Sequence, residues 1–240
     1  MSNPNFKAEF VSGMRSAIPV ILGFVPVGIA FAIMARQAGF TVAQTCGMSL
    51  SVFAGASQMM AVGMYEQGAS IIAMVLATFL LNFRHLIMST CVFERIKHST
   101  LAQKLIAGFG VTDESFALFT TEKEERCTIA YFIGMNCVMY TAWNVGTFIG
   151  AIASDFLPTI ITASLGIALY AMFIGLLVPN LTNNFRLGLL VILTTVCNTV
   201  LSKLMPGSWA LIISTLVCAF IGVFTVDLDG KKEECADESH

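Results

Sequence analysis

Long apolar stretches separated by short polar connections run through almost the whole chain. A helix needs about 20 apolar residues to cross a bilayer core of roughly 30 Å. Seven stretches reach or approach that length: Ala17–Ala35, Val42–Met64, Ala69–Phe93, Thr128–Ala153, Ile160–Val178, Leu187–Leu204 and Ser208–Val226. This pattern predicts an all-α fold, a polytopic integral membrane helical bundle that forms a single membrane domain over residues 1–226.

The second stretch, Val42–Met64, carries no formal charge, yet polar and flexible residues interrupt it near its middle. These are Ser51, Gly55, Ser57 and Gln58. Backbone at membrane depth must be satisfied internally or line an enclosed cavity, and broken helices often line transporter sites. The alternative is a helix-packing face, where small residues allow close approach and the glutamine bonds a neighbouring helix. The large, central Gln58 favours the site-lining interpretation.

The third stretch contains Asn82, Arg84 and His85 within an apolar frame. On a straight helix, Arg84 would lie about 22 Å from Ala69 and about 15 Å from Glu94. An intramembrane arginine needs a partner and indicates a functional site. Alternatively, the helix ends near residue 83 and Arg84 reaches the headgroups. His85 titrates in the range that suits proton coupling, or it forms a structural hydrogen bond.

The connection at residues 94–127 carries more positive charge than any other, which predicts a cytoplasmic loop. Ser99–Phe109 has helical apolar spacing and is expected to form a short interfacial helix. Thr112 is expected to cap a second one, with Asp113 and Glu114 in its first turn. These two acids are also candidate partners of Arg84, in addition to the more distant Asp155. The acidic tail at residues 227–240 is expected in the cytoplasm.

The number of crossings before this loop gives two possible layouts. If the N-terminus, with Lys7 and Arg15, is cytoplasmic as well, one of the first three stretches does not cross fully, and Val42–Met64 is the re-entrant or broken candidate. The other layout has seven full spans and an external N-terminus. The first stretch contains Pro19 and Pro26, which predict a kinked or opened helix.

The fourth long stretch has two further patterns. Asn136, Tyr140, Asn144 and Thr147 share a helical face, which is either interhelical contact or part of a polar pathway. The small residues Gly146, Gly150 and Ala153 form a surface for helix contact, within the chain or with another subunit.

Composition excludes several classes of protein. Charged residues are 12% of the chain, hydrophobic residues are 56%, and mean hydropathy is +0.80, too apolar for a soluble domain. A net charge of −2 predicts no nucleic-acid partner. The seven cysteines contain no CxxC pair, so we expect no metal site and no cofactor. His85 has no serine or cysteine partner by spacing, so we expect no enzymatic activity.

Four sequence blocks resemble the signature blocks of the AzlC family. They are residues 17–28 (AIPVILGFVPVG), 53–58 (FAGASQ), 80–85 (LLNFRH) and 112–117 (TDESFA). The resemblance extends from about residue 10 to residue 225 in length and order. It implies the large subunit of a bacterial branched-chain amino acid exporter in the inner membrane. It also implies a small AzlD-type membrane subunit as partner.

The resemblance further implies export of valine, leucine, isoleucine or methionine, and we expect the proton gradient to drive it. The competing prediction is a passive channel for a small neutral solute. The expected substrate-binding residues are Phe53, Gly55, Ser57, Gln58 and Asn82. The expected coupling residues are Arg84, His85, Asp113 and Glu114.

Overall fold

The computed structural model describes residues 6–96, 99–156, 185–205 and 207–225, together with Ile174 and Val178. These residues form nine α-helices and a 3₁₀ turn at Glu124–Arg126, and no strand occurs among them, which confirms the all-α prediction. The α-helices are α1 (Phe6–Gln37), α2 (Val42–Ser51), α3 (Gly55–Glu66), α4 (Ile71–Arg95), α5 (Leu101–Phe109), α6 (Asp113–Thr121), α7 (Ile129–Ala153), α8 (Phe185–Leu204) and α9 (Gly207–Thr225). Apart from Ile174 and Val178, the fifth predicted stretch lies outside the described residues.

The described helices divide into two compact units, and the single domain expected over residues 1–226 stays a prediction. The first unit holds α1–α3, α4 from Thr78 onward, and α5–α7. The second holds the first turns of α4 together with α8 and α9. In the second unit α8 and α9 pack antiparallel, and Ser214 Oγ donates a hydrogen bond of 3.4 Å to Asn198 Oδ1.

Two helices, α1 and α4, are long and apolar enough to cross a membrane by length and composition. With 25 residues, α7 is as long as α4. Two shorter apolar segments, Gly188–Leu201 and Trp209–Gly222, lie within α8 and α9. Helix α1 stays helical through Pro19 and Pro26, so it does not open there, and the predicted kink stays a prediction.

The first unit is built on α1 and α7, which run parallel in close contact. Ser12 of α1 bonds Arg126 just before α7 starts, whereas Arg36 near the end of α1 bonds Asp155 beyond the end of α7. Between these ends, glycines bring the two backbones together. A Cβ on Gly146 would lie 2.5 Å from the Val25 carbonyl oxygen, and a Cβ on Gly150 would lie 2.6 Å from the Ile29 carbonyl oxygen. The small-residue surface therefore contacts α1 within the chain at these two glycines.

Helices α2 and α3 form a hairpin whose two ends lie on the same side. Phe40, before α2, and Tyr65, near the end of α3, have ring centroids 5.0 Å apart. The chain reverses at the non-helical residues 52–54, where Phe53 packs 5.4 Å from the Tyr140 ring. Tyr140 lies about 16 Å from the start of α7 and about 20 Å from its end. This geometry matches the re-entrant layout: Val42–Met64 enters to mid-depth of α7 and returns.

Helices α5 and α6 form a second hairpin, which enters from the opposite end of α7. Its base is fixed where Arg95, at the end of α4, donates to the carbonyls of Phe119 and Glu122. Its tip reaches the same depth as the first tip, because the rings of Phe109 and Tyr140 are 5.9 Å apart. The two short helices expected in the 94–127 loop are present, and both contact α7. Their interfacial position stays a prediction.

The chain thus repeats a pattern with inverted direction. A long helix, α1, is followed by a hairpin that reverses near Tyr140, and the oppositely directed α4 is followed by a hairpin that reaches Tyr140 from the other side. Inverted repeats with discontinuous helices meeting near the bilayer midplane are a common architecture of secondary transporters. Because Arg126 donates to Ser12, α1 starts on the same side as the end of the 94–127 segment.

Candidate substrate site at the hairpin tips

The start of α3 differs from the starts of α2, α4, α5, α6 and α7 in having no side-chain cap. Threonine side chains cap α2, α5, α6 and α7, and Ser70 Oγ accepts from the Ala73 backbone N–H in the first turn of α4. The N-cap of α3 is Ala54, which makes no such bond. The first N–H groups of a helix have no partner within the helix and carry its positive dipole end. An uncapped start at the reversal point of a hairpin therefore leaves donors available for an anionic group.

Gln58 anchors the first hairpin through a buried chain of polar contacts. Its side-chain Nε2 donates to Ser49 Oγ at 3.1 Å, so the glutamine joins α3 to α2. Ser49 Oγ lies 2.9 Å from Thr147 Oγ1, which in turn donates to the Trp143 carbonyl at 2.9 Å. Because Thr147 donates onward, Ser49 is the donor to Thr147 and the acceptor from Gln58. This series of hydrogen bonds holds the α2–α3 hairpin against the middle of α7.

Two polar atoms at this tip are buried without a hydrogen-bond partner in the described part of the protein. They are Oε1 of Gln58, whose residue is 1% exposed, and Nε1 of Trp143. Buried polar atoms are almost always paired, so an unpaired acceptor and an unpaired donor at one tip call for an explanation. A ligand with both a donor and an acceptor would satisfy them.

Apolar rings surround this tip. Trp143 packs on Gly55, because a Cβ on that glycine would lie 2.5 Å from Cη2 of the indole. The Trp143 ring also contacts Phe24 and Phe31, with centroids 6.1 and 6.0 Å away. Phe53 and Met59 are buried in the same cluster. Aromatic and methionine surfaces accept apolar side chains of several shapes.

Asn82 of α4 reaches the first hairpin from another side. Its Nδ2 donates to Ser57 Oγ at 3.1 Å, and Ser57 Oγ donates to the Ala54 carbonyl at 2.9 Å. Asn82 therefore braces the uncapped start of α3 through Ser57. The five residues expected to bind substrate lie at or next to this tip: Phe53, Gly55, Ser57, Gln58 and Asn82.

Arg84, two residues further along α4, contacts the second hairpin instead. Residues two apart on a helix do not face each other, so α4 presents Asn82 and Arg84 to different neighbours. Arg84 Nη2 lies 2.9 Å from Asp113 Oδ2 at the start of α6. The side chains are 35% and 28% exposed, and Arg84 Nε has no partner among the described residues. Helix α4 continues to Arg95, so the alternative in which it ends near residue 83 is wrong.

Of the other two candidate partners of Arg84, Asp155 pairs with a different arginine and Glu114 lies next to Asp113 in the sequence. Asp155 pairs with Arg36 at 2.6 Å, at the far end of α1. Glu114 follows Asp113 in the first turn of α6, half-buried, and His85 follows Arg84 on α4. Thr112 and Ser115 cap α6 reciprocally, as the sequence predicts for Thr112. At the capped start of α6, Asp113 thus pairs with Arg84, and Glu114 and His85 are the next residues on their two helices.

The polar stripe on α7 is divided between the tips. Tyr140 Oη donates to the Leu50 carbonyl at 2.8 Å at the end of α2, while Asn144 bonds back to its own helix. Asn136 packs under Gly110 of the second hairpin, and neither of its amide atoms has a partner within the described ranges. The stripe thus serves interhelical contact at Tyr140 and Thr147, and Asn136 leaves a second unpaired buried group.

Sequence reasoning did not assign Ser49, Phe24 and Trp143 to the site. Ser49 lies nine residues before Gln58, a spacing that no helix periodicity connects across a break. Phe24 and Trp143 look like ordinary apolar packing residues in their own stretches. Only the approach of α1, α2 and α7 brings them to the tip of the first hairpin.

The fold and this site define a helical membrane protein whose broken helices place unpaired polar groups at mid-depth, the architecture of a transporter. A profile of the family described as AzlC protein matches residues 19–157. The chain belongs to the AzlC family, and it is a membrane transport protein.

Relatives agree with this assignment. An uncharacterized membrane protein of Archaeoglobus fulgidus is 32% identical over 72% of this chain and 77% of its own length. The inner membrane protein YgaZ of Escherichia coli is 28% identical over 72% of this chain and 74% of its own. The branched-chain amino acid transport protein AzlC of Bacillus subtilis is 27% identical over 70% and 66%. No solved structure is significantly similar to the chain.

Proposed function

We propose that this chain is the transport subunit of an exporter of branched-chain and related hydrophobic amino acids: valine, leucine, isoleucine and methionine. The similarity to the branched-chain amino acid transport protein AzlC of Bacillus subtilis supports the substrate class. We further propose that the proton gradient drives export and that a small AzlD-type subunit completes the transporter. The protein is not proposed to be an enzyme, in agreement with membership of a transport-related family.

One observation carries the proposal: the uncapped start of α3 lies beside a buried, unpaired Gln58 Oε1. An amino acid has a carboxylate that requires donors and an ammonium that requires acceptors. The free N–H groups at Gly55 and Ala56 and Nε1 of Trp143 would bind the carboxylate. Oε1 of Gln58 would accept from the ammonium, which the indole face also attracts. The two charges of the substrate thereby satisfy the groups that the protein leaves unpaired.

The side chain of the substrate would lie among the rings at the first tip. Phe24, Phe53 and Met59 supply apolar surface there. Burial of a branched side chain contributes about 1.5–3 kcal/mol, whereas an extra polar group would need a partner that this surface does not provide. The apolar wall thus favours hydrophobic over polar amino acids.

The second tip would couple transport to protons. Asp113 of α6 pairs with Arg84 of α4, and Glu114 and His85 directly follow these two residues in the chain. Protonation of Asp113 would remove its attraction to Arg84 and loosen the second hairpin from α4, whereas deprotonation would restore the pair. Since both hairpins contact Tyr140, movement of one tip would displace the other tip through this residue. Two hairpins that enter from opposite ends suit alternating access.

The experiment is counterflow in proteoliposomes that hold the chain with its small AzlD-type subunit. Vesicles loaded with unlabelled leucine should take up labelled leucine transiently above equilibrium, because a carrier exchanges bound substrate. An imposed proton gradient should drive accumulation, and a protonophore should abolish it. Labelled lysine serves as the control solute and should not move.

The competing function, a passive channel for a small neutral solute, gives a different result. Labelled solute would then equilibrate without overshoot and without response to the proton gradient. Absence of saturable leucine movement in vesicles with and without the small subunit would overturn the exporter proposal. A comparison of leucine transport in the same two preparations shows whether the small subunit is required.

A further inference from the structure

An open cleft of about 840 Å³ lies at the end of the first unit where α1 and α7 both start. Three cationic side chains line it, Lys7 and Arg15 from α1 and Arg126 from the turn before α7, against a single acid, Glu122. This cleft is separate from the hairpin tips, since it lies two to three turns before the residues of α7 that contact them. The proposed transport mechanism makes no use of it.

The cations of the cleft are not neutralised within the described structure. Glu122 bonds Arg126 at 3.2 Å and accepts from Tyr131 Oη at 2.8 Å, and that tyrosine hydrogen bond lowers the pKa of Glu122. Lys7 and Arg15 are exposed and form no ion pair with any described residue. They lie eight residues apart on α1, so they share one face about 12 Å apart. The cleft therefore carries two uncompensated positive charges.

The hydrogen-bonding groups of the cleft suit an oxyanion. Ser12 lies between the two cations along α1, and Arg126 Nη2 donates to its Oγ at 2.8 Å, which joins the two walls. Ser16, next to Arg15, also lines the cleft and donates to the Gly13 carbonyl at 2.7 Å. Guanidinium and ammonium groups with intervening hydroxyls are typical ligands of phosphate oxygens.

Exposed apolar side chains adjoin the same cleft, which distinguishes a lipid from a soluble anion. Val11 lines the cleft, and Met14 and Ile18 follow on α1, all of them exposed. Helix α1 then continues as an apolar segment long enough to cross the bilayer. A ligand bound here would have its charged end among the cations and its apolar end along α1. Basic residues next to a membrane-crossing helix attract anionic lipid headgroups.

We propose that this cleft binds the phosphate of an anionic phospholipid headgroup, with the acyl chains along α1. The shared chemistry is a phosphate oxyanion, and the apolar rim assigns it to lipid rather than to free phosphate. Lys7, Arg15 and Arg126 neutralise the phosphate, while Ser12 donates to it. The bound lipid would tie the starts of α1 and α7 together at the membrane surface.

The test is a titration of the full chain in mild detergent with short-chain phosphatidylglycerol, read by thermal unfolding and by native mass spectrometry. Phosphatidylglycerol should raise Tm and remain bound, whereas phosphatidylcholine should do neither. Lys7→Gln should weaken apparent affinity about fivefold, and the double variant with Arg15→Gln about thirtyfold. Added NaCl should weaken binding as well.

The matched control removes one arginine and one lysine elsewhere, by Arg186→Gln with Lys203→Gln at the two ends of α8, and should bind like the parent. Equal binding by the cleft variant and the parent would overturn the proposal. So would inorganic phosphate that raises Tm as much as the lipid at the same concentration. If the double variant unfolds early, Ser12→Ala replaces it, and unchanged lipid retention by that variant would also contradict the site.

Discussion

The two hairpins reach Tyr140 from opposite ends of α7, yet their tips satisfy polar groups in opposite ways. The tip of α2–α3 has no charged residue, begins α3 without a cap and leaves Gln58 Oε1 unpaired. The tip of α5–α6 begins α6 with a reciprocal cap and pairs Asp113 with Arg84. One tip therefore retains free hydrogen-bonding capacity, and the other uses its capacity within the protein.

This difference between the tips indicates how two similar hairpins can have different functions. Unpaired neutral groups in an enclosed place bind a ligand without first breaking an internal bond. A half-buried ion pair is sensitive to protonation, since its strength depends on the charge of both partners. We propose that the first tip binds the substrate and that the second tip senses protons. Substitutions at each tip test the two roles separately.

The largest effect is expected from Gln58→Leu at the first tip. The leucine keeps the apolar volume but removes the acceptor for the substrate ammonium and the bond to Ser49. A lost hydrogen bond to a charged group costs about 1.5–3 kcal/mol, or about 10- to 100-fold in affinity, so leucine transport should be lost at ordinary concentrations. The counterflow assay measures this loss of leucine transport.

The matched control is Gln67→Leu, the same exchange in an exposed residue at the other end of α3. It should transport like the parent, and both variants should elute as single peaks in detergent. Normal counterflow by Gln58→Leu would show that residues 53–58 pack helices and do not bind substrate.

Arg84→Ala at the second tip should reduce stability and expression before it reduces binding. Truncation leaves Asp113 without its partner, which costs about 3–5 kcal/mol for a fully buried pair. We expect less than that here, because the side chains are 35% and 28% exposed. Expression yield and Tm measure the loss.

Neutralising the acid as well, by Asp113→Asn, should recover part of the stability of Arg84→Ala but not proton-driven accumulation. Counterflow without a gradient should persist in the double variant, since the first tip is intact. Full proton-driven transport by the double variant would remove the ion pair from the coupling mechanism.

Ala54→Ser should move stability and affinity in opposite directions. A serine would cap α3 and stabilise it by about 0.5–2 kcal/mol, as such caps do elsewhere. Its oxygen would compete with the substrate carboxylate for the same N–H groups, so apparent affinity for leucine should fall several-fold. Tm and the concentration dependence of uptake are measured on the same preparation.

Thr41→Ala, which removes the cap of α2 at the base of the hairpin, should cost about 1 kcal/mol and leave affinity unchanged. An Ala54→Ser protein with higher Tm and unaltered affinity would mean that the start of α3 does not receive the carboxylate.

Tyr140→Phe should have the smallest effect. It keeps the ring against Phe53 and Phe109 but removes the hydrogen bond to the Leu50 carbonyl, worth about 1 kcal/mol. Uptake should slow modestly, while Tyr140→Ala, which deletes the shared contact, should impair transport severely. Equal activity of the two variants would show that the rings do not link the hairpins.

Much of this protein is determined locally by its sequence. The lack of charge from Val42 to Met64 and the polar residues within it predict a broken membrane helix, and the break occurs at residues 52–54. Thr112 followed by acids predicts the start of α6 correctly. Caps, breaks and apolar periodicity depend on neighbours within a few residues, so a single sequence contains them.

The tertiary structure alone decided which groups meet. Hydropathy does not distinguish a surface that faces lipid from one that faces another helix, so the contacts of α5 and α6 with α7 left no signal. The choice of Asp113 over Asp155 as the partner of Arg84, and of α1 as the contact of Gly146, depends on residues distant in the chain. Such pairings follow from the directions of α1, α4 and α7, which only long-range packing fixes.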